Sequence, residues 1–500
     1  MSHQSRQHPT ALPYHSPTVA SQWESTPIAE RPGRLVSLFV PAAELDPLSF
    51  LRGGYGVERF YWAEPSGGAS MTLAGLAVAA EVRVPPVLDD AAPFSDQSDY
   101  RFDDVIEQTT RLFEGASFHA ADAGDWGVAE VEMDNHPARP RLFGGLAFQD
   151  DFVPDNTWSV FSPAHFILPH FQLVQTGHEA FLTINALIAP DEDLLDALNG
   201  MREALMARLP AADAISTRRV VSPNLSYPLS PEMWAELVDQ ATTAIGAGEI
   251  EKVVLSRVCE LRAAEPIDAA ATLDFLNEQY GDCYRFLFEP LPHHAFFGAT
   301  PELLIRKTGP RVQTMALAGS IPRGQSPGED DRLAAQLLAS PKERREHNLV
   351  VETIRRDMAA DMTFLNIPDA PVVLRLKNIQ HLLTPIEGQL MEPQLGVVPL
   401  LRRLHPTPAM GGAPAERALA FLRRHEPVPR GWYAAPIGWL DRQQDGVFAV
   451  AIRSAVTQHA RAWLYAGAGI VAESQPAQEW AETALKFRPM LGALGAGEAV

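Results

Sequence analysis

The chain has very little cysteine, with Cys259 and Cys283 the only two in 500 residues. Two thiols provide neither the disulfide framework of a small secreted domain nor the paired spacing of a zinc site. We therefore expect a reducing, cytoplasmic setting. No run approaches the roughly 18 apolar residues of a membrane span, so no membrane association is expected. The polar N-terminal residues have no apolar core and are not typical of a secretory signal.

Basic charge is also scarce. The chain has 41 lysines and arginines against 62 aspartates and glutamates, a formal net charge of −21 at pH 7. Proteins that bind nucleic acid need a basic surface to neutralise phosphates, so nucleic acid is not an expected partner. A small acidic substrate is compatible with this composition, provided that local cationic groups overcome the overall field.

The length exceeds that of a typical single core and favours more than one structural region. Residues 1–31 are rich in Pro, Ser, His and Gln, and we expect a disordered tail there. We expect a variable N-terminal α+β half over residues 32–225. A second region, over residues 226–495, carries the segments that suggest chemistry.

Strand-like runs alternate with a smaller number of helical patterns. Residues 164–177 and 178–188 predict a β-hairpin, whereas residues 72–80 read as a buried strand or a core helix. Ser326 and Ser340 are each followed by Pro and, three residues on, by Glu, a pattern typical of capped helix starts. The mixture predicts an α+β fold with much antiparallel sheet.

Two acidic pairs are the most informative local feature. Glu343 and Glu346 are spaced i, i+3 on a predicted helix, as are Glu479 and Glu482, so each pair shares one helical face. Hard carboxylate oxygens suit Mg²⁺. A structural interpretation is open for each pair, because Glu343 also completes a capping box and Glu482 can pair with Lys486 at i, i+4. Taken alone, the second pair is better explained as a solvated face.

Two basic residues stand in strand-like segments. Lys252 lies on an alternating strand face, where a buried lysine can serve as a base, although an edge lysine is the simpler interpretation. Arg453 falls on a strand face otherwise made of alanines, and its planar fork suits a ligand carboxylate. Gly467 and Gly469 would let backbone N–H groups approach an anion, but taken alone a β-bulge is the ordinary interpretation of these glycines.

Nine segments together resemble one family, the chorismate-utilising enzymes, which comprises isochorismate, anthranilate, aminodeoxychorismate and salicylate synthases. The likeness extends from about Ser230 to Leu491, and the segments follow in the family's order. They are KVVLSR (252–257), FGATPELL (297–304), LAGSIPRG (317–324), KERREHNLVVE (342–352), HLLTPIEG (381–388), LHPTPAMGG (404–412), FAVAIRS (448–454), YAGAGIV (465–471) and EWAETALK (479–486).

This resemblance implies large antiparallel sheets packed face to face with helices outside, as in anthranilate synthase component I. It also makes residues 226–495 the chorismate-binding catalytic region. Lys252 would be the general base that activates water, and Glu302 the general acid that protonates the departing C4 hydroxyl. The expected substrate-binding residues are Gly319, Ser320, His381, Ala409, Arg453, Gly467 and Lys486.

The resemblance implies Mg²⁺ as the cofactor. Glu346 and Glu482 would bind it directly, and Glu343 and Glu479 would support them through metal-bound water. Met410 departs from the family, in which Val or Leu is commoner at this position.

The lysine at position 252, the base position of the family, resembles that of the water-using branch, the isochorismate synthases. The implied activity is the reversible, Mg²⁺-dependent conversion of chorismate to isochorismate, for menaquinone or siderophore biosynthesis. The alternatives are a salicylate synthase, an ammonia-using aminodeoxychorismate synthase component and a catalytically silent scaffold. No amidotransferase segment is evident in the chain, so no such subunit is expected, and the protein is expected to be a monomer.

Overall fold

The computed structural model describes residues 33–67, 70–87, 100–121, 128–208 and 223–497. The predicted disordered tail over residues 1–31 lies outside these ranges. Within them the chain forms ten α-helices and twenty-two β-strands, with the helices interspersed among runs of strands.

The strands, in chain order, are β1 (Arg34–Pro41), β2 (Arg59–Ala63), β3 (Met71–Val84), β4 (Ser117–Ala121), β5 (Val128–Glu130), β6 (Arg141–Leu146), β7 (Ala164–Thr176), β8 (Glu179–Ile188), β9 (Asn224–Ser226), β10 (Lys252–Arg262), β11 (Tyr284–Leu291), β12 (His294–Thr300), β13 (Leu303–Thr308), β14 (Arg311–Pro322), β15 (Met362–Asn366), β16 (Val372–Arg375), β17 (Ile379–Leu390), β18 (Gly412–Ala413), β19 (Pro436–Asp441), β20 (Gly446–Val450), β21 (Ser454–Gln458) and β22 (Arg461–Ile470).

The helices are α1 (Pro47–Arg52), α2 (Tyr100–Phe113), α3 (Leu194–Arg208), α4 (Pro231–Gly246), α5 (Ala269–Gln279), α6 (Pro327–Ala339), α7 (Pro341–Met358), α8 (Val397–Leu404), α9 (Ala415–His425) and α10 (Pro476–Ala493).

The strands form one continuous hydrogen-bonded network with two large arms, called here the first and second sheets, which meet at β7. The first sheet runs β5-β4-β1-β8-β7-β3-β2-β11-β12-β21-β22-β10, with β9 and β18 also paired to β10. The second leaves β7 through β6 and runs β6-β19-β20-β13-β14-β17, with β15 and β16 on the edge of β17. Among these described pairs, β1–β4 is parallel and the others are antiparallel.

The apolar core lies between the two sheets. One buried cluster joins side chains of both, for example Phe288 of β11 and Phe166 of β7 with Phe448 of β20. A second cluster lies on the outer face of the first sheet, where α5 and α10 contribute Leu273 and Phe487. The predicted α+β fold, with antiparallel sheets face to face and helices outside, is confirmed.

Several local predictions are also confirmed. Strands β7 and β8 form the predicted hairpin, and residues 72–80 belong to the long strand β3. The hydroxyls of Ser326 and Ser340 accept hydrogen bonds from the N–H groups of Glu329 and Glu343, and they cap α6 and α7.

Strands from before and after residue 225 mix within both sheets. Strand β2 pairs with β11, and β6 pairs with β19. The proposed division into residues 32–225 and 226–495 therefore describes where the expected chemistry lies along the chain, and it stays a prediction. Both cysteines are buried free thiols, and no helix among the described residues is long and apolar enough to cross a bilayer.

Candidate active site

One pocket lies where the C-terminal strands meet α7 and α10. Twelve of the thirteen predicted site residues line it, and these are Glu302, Gly319, Ser320, Glu343, Glu346, His381, Ala409, Arg453, Gly467, Glu479, Glu482 and Lys486. The thirteenth, Lys252, lies just behind the wall and reaches the pocket through Glu346.

Glu302 lies in the short break between β12 and β13, and 3% of its surface is exposed. Its backbone is held on both sides, since its N–H donates to Thr300 Oγ1 and its carbonyl accepts from the N–H of Val450. Burial raises the pKa of its carboxyl to about 8, although Arg453 and Lys252 oppose the shift. A carboxyl with such a pKa carries a proton at neutral pH and can donate it.

His381 of β17 lines the same pocket and is neutral. Its Nδ1 is 3.2 Å from both Ser320 Oγ and the carbonyl oxygen of Gly319, and its Nε2 is 3.5 Å from a guanidinium nitrogen of Arg453. Burial, with the positive charges of Arg453 and Lys486, lowers the pKa of His381 well below its ordinary value. The ring can therefore hydrogen-bond a ligand without adding charge.

The strand prediction for Arg453 was wrong. Strand β20 ends at Val450 and β21 begins at Ser454, so Arg453 lies in a break with φ of 52°. A left-handed backbone is unfavourable for a residue with a Cβ. The carbonyl of Arg453 accepts from the N–H of Ala299, which helps to hold this conformation. The break directs the buried guanidinium toward His381, which strict strand alternation does not predict.

Lys252 begins β10 and is 1% exposed. Its Nζ donates to Glu346 Oε1 at 2.8 Å, and this pair packs under the glycine strand β22. A Cβ added at Gly469 would lie 2.7 Å from Glu346 Oε1 and 3.0 Å from Lys252 Cε. A side chain at position 469 would therefore displace the ion pair, which glycine allows to lie against the backbone.

Helix α10 carries the second acidic pair. Glu482 pairs with Lys486 at 2.6 Å, and Lys486 Nζ also donates to the carbonyl of Gly467 at 2.9 Å. Burial opposes the charge of Glu482, but Lys486, with Lys342 and Arg453, outweighs it and holds the pKa below its ordinary value. The i, i+4 ion pair between Glu482 and Lys486, which the sequence suggested for a solvated face, is therefore present, but it lies in the pocket wall.

Helix α7 carries the first acidic pair. Glu343 accepts from the N–H of Ser320 at 3.1 Å, which ties the helix start to β14. Gly319, with φ of 82°, forms the irregularity in β14 that permits this approach, and a Cβ there would lie 3.2 Å from Glu343 Oε2. Burial and the neighbouring Glu346 raise the pKa of Glu343.

Among the described residues, no three His, Cys or carboxylate side chains are arranged to hold a metal ion as they stand. The donor set nevertheless fits a hard cation. Four carboxylates from two helices line one pocket, and Glu479 Oε1 is buried without a hydrogen-bond partner. Burial and Glu482 raise the pKa of Glu479, whereas Lys342 and Lys486 lower it. A cation between the two helices would reduce the repulsion among the carboxylates, as these lysines do in its absence.

The family model described as "Chorismate binding enzyme" matches residues 22–495 of this chain. The chain belongs to the chorismate-binding enzyme family. Isochorismate synthase MenF of Bacillus subtilis is 36% identical over 92% of this chain and 93% of its own length. The salicylate biosynthesis isochorismate synthase of Pseudomonas aeruginosa is 38% identical over 72% of this chain and 75% of its own.

The solved structure of MenF, the menaquinone-specific isochorismate synthase of Escherichia coli, has the same fold as this chorismate-binding enzyme. It superposes with a TM-score of 0.73 at 26% identity, over 94% of this chain and 97% of that one. The family resemblance noted in the sequence is therefore confirmed, and the chain is an enzyme of this family.

Sequence reasoning missed two polar residues of the chorismate-binding enzyme's pocket. Lys342 lies 3.6 Å from Glu479 Oε1 and 4.0 Å from Glu343 Oε1. Burial opposes its charge, but these carboxylates raise its pKa. Its place in the charged run KERRE gave no signal.

Tyr433, the other missed residue, is buried in the pocket wall and stacks on Tyr465 with ring centroids 5.2 Å apart. A Cβ at Gly467 would lie 3.2 Å from its hydroxyl. The aromatic, glycine- and proline-rich segment around it could have indicated a buried turn.

Proposed function

We propose that this protein is an isochorismate synthase that converts chorismate to isochorismate reversibly. The observation that carries the proposal is a proton-bearing acid, Glu302, in the pocket that also holds the Lys252–Glu346 pair. Two relatives named isochorismate synthase match this chain over most of their length, and they support the same conclusion.

The reaction needs two proton transfers. Water adds at C2 of the ring and loses a proton to Lys252, the ring double bonds shift, and the C4 hydroxyl leaves as water with a proton from Glu302. One water enters and one leaves, so the overall change is an isomerisation. A carboxyl with a pKa of about 8 suits an acid for a hydroxide leaving group at neutral pH. In the reverse direction the two residues exchange roles.

Cationic groups of the pocket would hold the substrate carboxylates. Arg453 offers a planar fork, and Lys486, beside Gly467, offers an ammonium group. These local charges give a dianionic substrate a favourable site in a protein of net charge −21. Gly319, Ser320 and Ala409 would line the ring, and neutral His381 would lie close to the ring side chain.

We propose Mg²⁺ as the cofactor. Glu346 and Glu482 would hold the ion, with Glu343 and Glu479 supporting it. When bound, Mg²⁺ would neutralise and orient a substrate carboxylate. Glu346 and Glu482 now pair with Lys252 and Lys486, so these lysines would be freed for water and substrate.

The proposal extends to a cytoplasmic monomer that works without an amidotransferase subunit. Two buried free thiols are compatible with a reducing compartment. The names of the relatives refer both to menaquinone and to salicylate biosynthesis, and either route would use isochorismate.

The test is a product analysis of purified protein incubated with chorismate and Mg²⁺. We expect isochorismate alone, at an equilibrium reached from either side. Salicylate with pyruvate would identify a lyase, and an amino product formed only with ammonia would identify an aminodeoxychorismate synthase. A complete lack of turnover would overturn the proposal. Lys252→Ala should lower turnover by about 10²–10⁴-fold, the usual range for a lost general base.

A further inference from the structure

Arg257 of β10 is a buried cation without a counter-charge. It is 2% exposed, and among the residues that the structure describes it pairs with no carboxylate. One of its guanidinium nitrogens, NH1, is buried without a hydrogen-bond partner. Burial lowers its pKa to about 10, so the group remains charged at neutral pH. A buried, unpaired charge is costly and calls for an explanation.

The guanidinium is instead bound to one face of α10. Its Nε donates to Thr483 Oγ1 at 2.7 Å, and its NH2 donates to the carbonyl of Trp480 at 3.3 Å. The guanidinium carbon lies 3.6 Å from the centre of the Trp480 ring, 4.9 Å from that of Phe487 and 5.4 Å from that of Tyr227. Cation–π contacts and hydrogen bonds together stabilise the charge.

The face that Arg257 holds is adjacent to the face that lines the pocket. Its residues are spaced i, i+3, i+7 and are Trp480, Thr483 and Phe487. Each directly follows one of the pocket residues on the neighbouring stripe, which are Glu479, Glu482 and Lys486. Successive residues of an α-helix are about 100° apart, since there are 3.6 per turn. Contacts that hold one stripe of side chains in place therefore fix the direction in which the neighbouring stripe points.

We propose that Arg257 is a positioning residue that fixes the rotation of α10 about its axis, so that Glu482 and Lys486 face the pocket. It does not line the pocket, so it acts through the helix. The roles given to Glu482 and Lys486 rest on the proposed function, but the fixed rotation does not. Arg257 also joins α10 to β10, the strand that carries Lys252, and thereby sets two walls of the pocket relative to each other.

The test compares Arg257→Lys with a matched control, Arg285→Lys. Arg285 of β11 is also buried and also donates to backbone carbonyls, those of Glu64 and Gly281, at 2.9 Å each. It does not line the pocket, and its hydrogen-bond partners lie outside α10. Thr483→Val is a milder second variant, which removes one acceptor of Arg257 and keeps the side-chain volume. Each protein is measured for amide hydrogen exchange over residues 476–493, Mg²⁺ affinity by calorimetry and chorismate turnover.

We expect Arg257→Lys to speed amide exchange in α10, to weaken Mg²⁺ binding by about 10–100-fold, as is typical when a group supporting a metal ligand is lost, and to lower kcat/KM by up to about 10²-fold. Thr483→Val should have a smaller effect that does not add to the first in the double variant. Arg285→Lys should lose thermal stability only.

Equal effects of the two arginine variants on α10 exchange, Mg²⁺ affinity and kcat/KM would overturn the proposal, as would additive effects of Arg257→Lys and Thr483→Val. If Arg257→Lys does not fold, Thr483→Val decides by the same measurements. If the wild-type protein leaves chorismate unchanged, the proposed function fails, whereas amide exchange in α10 still decides the positioning role.

Discussion

Two glutamates line the same pocket, and one is neutral whereas the other is negatively charged. Glu302 lies between strands, and burial raises its pKa to about 8. Glu482 lies on α10, where Lys486, 2.6 Å away, helps to hold its pKa below the ordinary value. The strand side of the pocket thus holds a carboxyl that can donate a proton, and the helix side holds a negatively charged carboxylate. Burial protonates a carboxyl unless a cation lies close enough to offset the desolvation.

The same contrast extends to the neighbours of each acid. On the strand side, His381 is neutral and its ring nitrogens lie near a hydroxyl, a carbonyl and a guanidinium. On the helix side, Glu479 of α10 lies within ion-pair distance of Lys342 of α7, and Glu346 of α7 pairs with Lys252 of strand β10. The strand side is therefore suited to donating a proton and the helix side to binding a cation and anions, and the Lys252–Glu346 pair joins the two sides.

The largest expected effect is on the helix side. Glu482→Gln removes the charge that both Lys486 and a bound cation need, so Mg²⁺ affinity and turnover should each fall by more than about 10²-fold. Calorimetry and the chorismate assay measure the two effects. Glu473→Gln, which alters an exposed ion pair with Arg345, is the control and should behave as wild type. Full wild-type activity in excess EDTA would show that the reaction does not require a metal ion.

On the strand side, Glu302→Gln should lower turnover by about 10²–10⁴-fold, because the hydroxyl then leaves without a proton. Its Mg²⁺ affinity should stay near that of wild type. The proposed reaction uses Glu302 in its protonated form, so wild-type kcat/KM should decline as pH rises through about 8. A pH–rate profile that is flat across this range would show that the carboxyl is not the acid.

Arg453→Ala tests whether the strand side also binds substrate charge. Loss of hydrogen bonds to a charged partner costs about 1.5–3 kcal/mol, so KM for chorismate should rise by about 10-fold or more, with a smaller change in kcat. The variant keeps the unfavourable φ, because alanine retains the Cβ that causes the strain. An unchanged KM, together with a native circular dichroism spectrum, would show that Arg453 does not bind the substrate.

The smallest effect is expected from the helix cap. Ser340→Ala removes the acceptor for the N–H of Glu343 and should lower the free energy of unfolding by about 1 kcal/mol. Ser326→Ala removes the equivalent cap of α6 and is the matched control. Urea unfolding should show similar losses for both, whereas only Ser340→Ala should weaken Mg²⁺ binding, because α7 carries two of the four carboxylates.

Local patterns in the sequence were sufficient for much of the fold. The Ser-Pro-x-Glu caps, the β7–β8 hairpin and the i, i+3 acidic pairs depend on neighbours along the chain, so the sequence alone determined them. The order of nine family segments determined the fold class as well. The prediction failed at Arg453, where strand alternation breaks.

Only the tertiary structure decided which groups carry charge and which face they present. The Lys252–Glu346 pair joins residues 94 apart in sequence, and His381 meets Arg453 across 72. Glu302 is neutral because distant strands bury it, and the tyrosine and lysine that the sequence did not indicate, Tyr433 and Lys342, line the pocket through folding alone. Desolvation and long-range pairing depend on what surrounds a side chain in space, which local periodicity does not encode.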